Sequence, residues 1–170
     1  MLYKNIFLLL GSNLGDRLSC LSLCLELIEE HVGTIIKKSS IYETTAWGRT
    51  DQPDFLNQAI EIETPFPPTE LLSACQNIEK KIGRQREEKW GARTIDIDII
   101  YFGDKIIHSN ELTIPHPRMT ERKFVLIPLT QISPSFVHPI LKKTSEELLK
   151  QCRDELLVKY FSPQRREGAK

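Results

Sequence analysis

The chain has 170 residues, room for one ordinary domain with a real core but not for two catalytic domains side by side. Lys and Arg together number 23 and so do Asp and Glu, which excludes a global field able to hold a polyanion such as DNA and makes any anion site local. The opening run Ile6-Phe7-Leu8-Leu9-Leu10 falls far short of the ~20 apolar residues of a membrane span and reads as a buried strand rather than a signal peptide, so the expectation is a cytoplasmic protein with no membrane or nucleic-acid partner.

Residues 5–10 are the first predicted strand. Leu14, Leu18, Leu21, Leu25 and Ile28 then recur at helical spacing to about His31, with Gly33 as the stop. Residues 34–43 and 55–64 read as two strands joined by a Gly-, Pro- and Asp-bearing loop from Thr44 to Asp54. Within the second, Ala59-Ile60-Glu61-Ile62-Glu63 alternates, as expected of a strand covered on one face. After Pro65 to Thr69, the residues Leu71, Leu72, Cys75, Ile78 and Ile82 trace a second amphipathic helix ending near Gly83. A polar, charged stretch follows from Arg84 to Gly91. Residues 93–102 alternate and are rich in β-branched side chains, the clearest strand of all, and Gly103-Asp104 makes the turn.

The order β-α-β-β-α-β is that of the split βαβ, ferredoxin-like folds, which predicts an α+β protein with an antiparallel sheet and both helices on one face. A short hairpin at about 105–114, the loop Pro115-His116-Pro117-Arg118-Met119 and a helical region after Phe124 extend this core. Residues 1–161 are expected to form one domain, and the polar, basic tail Ser162 to Lys170 to fray. The four cysteines, Cys20, Cys24, Cys75 and Cys152, form no CxxC pair, and the first three fall on apolar helix faces. Reduced thiols fit better than a zinc site at Cys20 and Cys24, because no second ligand pair follows.

Chemistry concentrates around Asp96 and Asp98. Two residues apart on a strand, they point to one face, with Cα atoms about two rises of ~3.3 Å apart. At ~6 Å the repulsion of two like charges is of order 0.7 kcal/mol in water and nearly 3 at an effective dielectric of 20, a penalty that a divalent cation reverses. Rigidly held acidic oxygens suit Mg²⁺, which keeps several waters and borrows ligands from substrate phosphates. The competing reading is the solvated face of an edge strand. Against it, the same face is expected to continue with apolar Ile100 and Phe102, so the pair sits where the strand leaves a core.

Arg84, Arg86, Lys89 and Arg93 precede the aspartates, and His116, Arg118 and Arg122 follow. Arginine forks bind phosphate oxygens in bidentate fashion, although Glu87 and Glu88 could pair with some of these cations instead. No Gly-x-x-x-x-Gly-Lys-Ser/Thr loop occurs, so phosphates would be held by side chains and metal. Trp90, in a charged loop flanked by glycine, is either a lid over a ligand or an anchor onto the sheet. Gln76 and Glu79 lie one turn apart and either face a nucleotide or are solvated helix surface.

The run Lys89-Trp90-Gly91-Ala92-Arg93-Thr94-Ile95-Asp96-Ile97-Asp98-Ile99-Ile100 resembles the signature of the 6-hydroxymethyl-7,8-dihydropterin pyrophosphokinase family of folate biosynthesis. Four further segments extend the resemblance in order: Gly11-Ser12-Asn13-Leu14-Gly15-Asp16-Arg17, Ser40-Ile41-Tyr42-Glu43-Thr44, Asp51-Gln52-Pro53-Asp54-Phe55-Leu56-Asn57, and Pro115 to Met119 with Arg122 and Phe124. The resemblance implies an ATP- and Mg-dependent diphosphotransferase that moves the β,γ-diphosphoryl unit of ATP to the hydroxymethyl oxygen of the pterin and releases AMP. It assigns two Mg²⁺ ions to Asp96 and Asp98. Arg84 and Arg93 would stabilise charge on the transferred group, while Arg86 and Trp90 ride on a mobile loop that seals the site.

For the pterin, the resemblance points to a slot between Phe55 and Phe124, with Asn57, the Thr44-Thr45 backbone, Trp47 and Asp96 beside it. For ATP it points to Gln76, Glu79, Arg84, Arg86, Trp90, Arg93, Ile99, Thr113, His116 and Arg122. His116 has a plainer reading as a structural hydrogen-bonding residue of a Pro-rich turn. The chain departs from the family pattern at Phe55, often Tyr, at Thr45-Ala46-Trp47, at Pro117 and at Glu111, where no ATP contact is carried over. The expectation is a monomer acting on two small molecules. An RNA-binding module of the same topology, or another two-metal nucleotidyl transferase, would be the alternatives; the first lacks an aromatic RNP pattern.

Overall fold

Along the chain the elements are β1 (Tyr3–Ser12), α1 (Arg17–His31), β2 (Thr34–Lys38), β3 (Tyr42–Thr44), β4 (Phe55–Thr64), α2 (Pro68–Arg86), β5 (Asp96–Phe102), β6 (Ile107–His108), β7 (Thr113–Ile114), α3 (Lys123–Ile132), α4 (Ser145–Gln151) and β8 (Val158–Tyr160). The computed structural model describes residues 1–13, 15–44, 54–86 and 95–162, with 84–86 described by their backbone alone. The main sheet is antiparallel with strand order β5-β1-β4-β3-β8, and β2 also pairs with β4.

β1 is apolar at every position from Ile6 to Leu10 because it pairs with β4 and β5 and is covered on both faces. Ile6, Leu8 and Leu10 join Ile60 and Ile62 of β4 in the core under α1 and α2. Phe7 and Leu9 join Ala59 and Tyr101 in a second core under α3 and α4. The alternation in β4 is therefore not that of a strand bare on one side: Ala59, small and apolar, meets the second helix layer. Cys20, Cys24 and Cys75 are buried in the first core, and burial, reinforced by the Glu79 and Asp98 carboxylates, pushes the Cys75 thiol up to about 12. Among the described residues no helix is long and apolar enough to cross a membrane.

Three boundaries differ from the expectation. The strand predicted over 34–43 breaks in two, because from Lys38 to Tyr42 the chain runs opposite only Ile60 to Asn57. The surplus is absorbed at buried Ser39, whose Oγ accepts from Ala59 N–H and whose carbonyl accepts from the Gln58 amide. α2 does not end near Gly83 but continues to Arg86, so Arg84 and Arg86 belong to its last turn, where basic residues suit the helix dipole. In β5, Phe7 pairs with Tyr101 and Leu8 with Ile99, leaving Ile100 as a bulge. Ile100 stays on the α3 side, but Phe102 turns to the α1–α2 side, so the face of the aspartates does not continue through Phe102.

The C-terminal third was only partly anticipated. α4 starts with a reciprocal capping box between Thr144 and Glu147. An extended strap then leads to β8, which adds to β3 with Thr44 opposite Val158 and Tyr42 opposite Tyr160. Residues 163–170, and with them almost all of the tail expected to fray, lie outside the described residues.

Candidate active site

One row of residues crosses the sheet: Asp96 of β5 pairs with Gly11 of β1, Gly11 with Asn57 of β4, and Asn57 with Tyr42 of β3. Asp98 lies opposite Leu9, and Thr44 opposite Phe55. The neighbours of the aspartates, Ile97 and Ile99, are buried in the α1–α2 core, so alternation turns both carboxylates to the α3 side. There Arg122 and Phe124 overhang the sheet, with the guanidinium carbon of Arg122 5.7 Å from the centre of the Phe124 ring.

These elements enclose a cavity of about 240 Å³ lined by Leu9, Gly11, Thr44, Phe55, Asn57, Asp96, Asp98, Arg122, Phe124 and Leu156. Thr44, Phe55, Asn57, Asp96 and Phe124, five of the positions that the resemblance assigns to the pterin, thus meet in one place. Thr45 and Trp47 lie outside the described residues. Asn57 is buried and its Nδ2 donates to Thr44 Oγ1 at 3.0 Å, which holds the carboxamide in one orientation. Arg17 donates to Glu43 Oε2 and to the Asp54 carbonyl, each at 2.7 Å, joining the start of α1 to the residues that flank the 45–53 segment.

A second cavity, of about 280 Å³, is lined by Leu72, Ile97, Asp98, Ile99, Leu112, Thr113, His116 and Pro117 with the 109–111 turn. Ile99, Thr113 and His116, assigned to ATP, come together here, and the departing positions Glu111 and Pro117 also face it. Gln76 is exposed one turn beyond Leu72 on α2. Glu79 is engaged with protein: its Oε2 accepts from the Ile97 N–H at 2.7 Å. Arg122, also assigned to ATP, borders the first cavity instead. The side chains of Arg84 and Arg86, and residues Trp90 and Arg93, lie outside the described residues.

Asp98 borders both cavities. His116 is anchored as its plainer reading requires, its N–H donating to Ile100 O at 3.0 Å and its Nδ1 accepting from Arg118 N–H at 3.2 Å. Burial, then the positive charges of Arg122 and Arg118, hold its pKa below the ordinary value, so near pH 7 the ring is neutral with its proton on Nε2. Three residues that line the first cavity were not among the candidate site residues. Gly11 carried a signal, a glycine directly after an apolar run, and the structure places it inside β1. Leu9 and Leu156 carried none, because an apolar residue at a strand or strap looks the same in a core and at a cavity wall.

The family model described as 7,8-dihydro-6-hydroxymethylpterin-pyrophosphokinase matches residues 7–134. The 2-amino-4-hydroxy-6-hydroxymethyldihydropteridine pyrophosphokinase of Aquifex aeolicus is 40% identical over 92% of this chain and 94% of its own. That of Bacillus subtilis is 49% identical over 74% of this chain and 76% of its own. A similar stretch makes up 22% of the folic acid synthesis protein fol1 of Schizosaccharomyces pombe, 38% identical over 94% of this chain. The wild-type HPPK-DHPS crystal structure from Plasmodium falciparum superposes with a TM-score of 0.69 at 18% identity, covering 88% of this chain and 44% of that one, a likeness of fold.

Proposed function

The chain belongs to the 7,8-dihydro-6-hydroxymethylpterin-pyrophosphokinase family, and we propose that its two cavities divide the family reaction between them, the first taking the pterin and the second the nucleotide. The reaction is the transfer of the diphosphoryl group of ATP to the hydroxymethyl group of 6-hydroxymethyl-7,8-dihydropterin, in folate biosynthesis. The observation that carries the division is the position of Asp98 on the wall of both cavities. A group there, with Asp96 beside it, stands where the attacking oxygen and the phosphate chain have to meet.

Asp96 and Asp98 fit a magnesium site. Their oxygens are hard donors on a strand, and among the described residues no third His, Cys, Asp or Glu joins them, which suits a cation that completes its shell with water and phosphate oxygens. Mg²⁺, two ions in our reading, supplies neutralisation of phosphate charge and a template for in-line transfer. The pterin hydroxymethyl oxygen forms its bond to the β-phosphorus as the bond from that phosphorus to the α,β-bridging oxygen breaks; AMP leaves and the hydroxyl proton is released to solvent.

The chain's own residues position the two substrates. Phe55 and Phe124 flank a flat ring, and Asn57, with Nδ2 committed to Thr44, keeps Oδ1 for the polar edge of the heterocycle. His116, with Nδ1 occupied, has Nε2–H to donate to a phosphate oxygen. Arg122 borders the same junction. From the resemblance we add Gln76, Arg84, Arg86, Trp90 and Arg93 on the nucleotide side, and Thr45 and Trp47 on the pterin side. We take the chain to act as a monomer of one domain over residues 1–161. If β2 and β3 are counted as one interrupted strand, the core follows the ferredoxin-like order, with the last strand beside the first and the third beside the second.

Product identity tests the reading. ATP, Mg²⁺ and 6-hydroxymethyl-7,8-dihydropterin should give AMP and the pterin diphosphate in equal amounts; formation of ADP, or turnover of ATP without pterin, would refute it.

A further inference from the structure

The family match ends at residue 134, yet one wall of the first cavity comes from beyond it: Leu156, half-buried, stands with Phe55, Asn57 and Phe124 around the same space. Two anchors hold it there. Asp154 accepts at Oδ1 from the Leu156 N–H and at Oδ2 from the Lys123 N–H, both at 3.0 Å. Two residues after Leu156 the chain enters β8, where Val158 pairs with Thr44, itself a cavity residue. The strap is thus tied at one end to the helix that carries Phe124 and at the other to the strand that carries Thr44.

α3 depends on the first tie. Its N-cap residue, Arg122, makes no side-chain capping bond, and its first turn holds no acidic residue. Asp154 satisfies one of the N–H groups left over at that end and sets a carboxylate at the positive end of the helix dipole. Moving Asp154 would therefore shift Leu156 and Phe124 together.

We propose that the strap Arg153–Val158 is a built-in wall of the pterin site. Leu156 acts as a specificity-determining residue against the rim of the flat heterocycle, and Asp154 as a positioning residue that sets the spacing between Leu156 and Phe124. This rests on the assignment of the first cavity to the pterin. An isobutyl group at the rim favours a planar ring that loses water on entry and offers nothing to a flexible polar chain.

Leu156→Ala, Asp154→Asn and, as reference, Phe124→Ala are to be compared by steady-state kinetics, with thermal midpoints recorded for each. Loss of the covered methyl surface should raise KM for the pterin about tenfold in Leu156→Ala, with KM for ATP unchanged. Asp154→Asn should raise KM for the pterin more than it lowers kcat, and its effect should shrink in the Phe124→Ala background, as expected of a residue acting through Phe124. In the unaltered enzyme, the Leu156 methyl resonances should move on adding pterin and not on adding a non-hydrolysable ATP analogue alone; this measurement decides if a variant fails to fold. An unchanged pterin KM in Leu156→Ala, beside a loss in Phe124→Ala, overturns the wall and leaves the pterin assignment standing. No loss in either variant overturns that assignment, and the wall with it.

Discussion

The Glu79 carboxylate takes a 2.7 Å hydrogen bond from the N–H of Ile97, the residue between Asp96 and Asp98. A helix side chain thereby holds β5 at the spot from which both carboxylates project. Hydrogen bonds to a charged acceptor contribute roughly 1.5–3 kcal/mol, and an unpaired peptide N–H costs about as much. Glu79→Ala should therefore lower kcat/KM about a hundredfold and raise the Mg²⁺ concentration needed for half-activation, whereas Glu79→Gln, which keeps an acceptor, should lose less than about tenfold. Magnesium titrations at saturating ATP check this. A rise in KM for ATP with no change in the magnesium requirement would instead assign Glu79 a direct nucleotide contact.

Asp96→Ala and Asp98→Ala should each abolish turnover, by about a thousandfold or more, while the circular dichroism spectrum keeps its native shape. Thermal midpoints recorded for both variants separate loss of the metal site from loss of the fold. Full activity in either variant would end the metal assignment.

Gly11 is the floor of the first cavity. A Cβ built there would lie 3.1 Å from Asn57 Oδ1, and Asn57 has little freedom to yield because its Nδ2 is bonded to Thr44. Gly11→Ala should raise KM for the pterin about tenfold, with ATP binding unchanged and the thermal midpoint within a few degrees of the parent. Pterin titrations followed by tryptophan or ligand fluorescence give the first quantity directly. Equal losses for pterin and ATP would mean that the added methyl disturbs β1 as a whole.

His138 Nδ1 accepts from the N–H groups of Ile140 and Leu141, at 3.2 and 3.1 Å, and burial holds its pKa below the ordinary 6.5. The folded protein therefore takes up this proton less readily than the unfolded chain. Stability is complete above the unfolded value and is lost as pH falls below it and through the folded one; the depressed pKa of His116 acts in the same sense. The unfolding midpoint should drop between pH 7 and 5, and part of that slope should vanish in His138→Asn, whose amide oxygen keeps an acceptor near the turn.

Periodicity made the core elements legible. Cys75 and Ile78, Ile97 and Ile99 each reported a face because residues three apart on a helix, or two apart on a strand, share one layer. What periodicity could not show is where a strand changes phase. The surplus residue at Ser39 and the bulge at Ile100 depend on hydrogen bonds to β4 and β1, and nothing local distinguishes Ser39 from a surface serine. The box Thr144-Ser145-Glu146-Glu147 was a readable start for α4 that went unused. The strap had no such mark, since Asp154 and Leu156 acquire meaning only from Lys123 and Phe55, far away in sequence. Motif order named five residues that line the first cavity, whereas the engagement of Glu79 with a peptide N–H required coordinates.

The extra residue at Ile100 behaves as a frame shift in the ladder. Ahead of it, Asp96 and Asp98 face the α3 layer; beyond it, Tyr101 can face that layer too, so the chemistry and its aromatic anchor share one side of the sheet. Deleting Ile100 would keep both faces, since Tyr101 would then follow Ile99 opposite Phe7 and Leu8 in a regular ladder. Pairing Ile100 into the ladder without the bulge would instead turn one half over, either driving two carboxylates into the apolar space beneath α1 and α2 or pulling Tyr101 out of its own. One step of register, with no reacting group touched, thus decides whether this sheet has an active face at all.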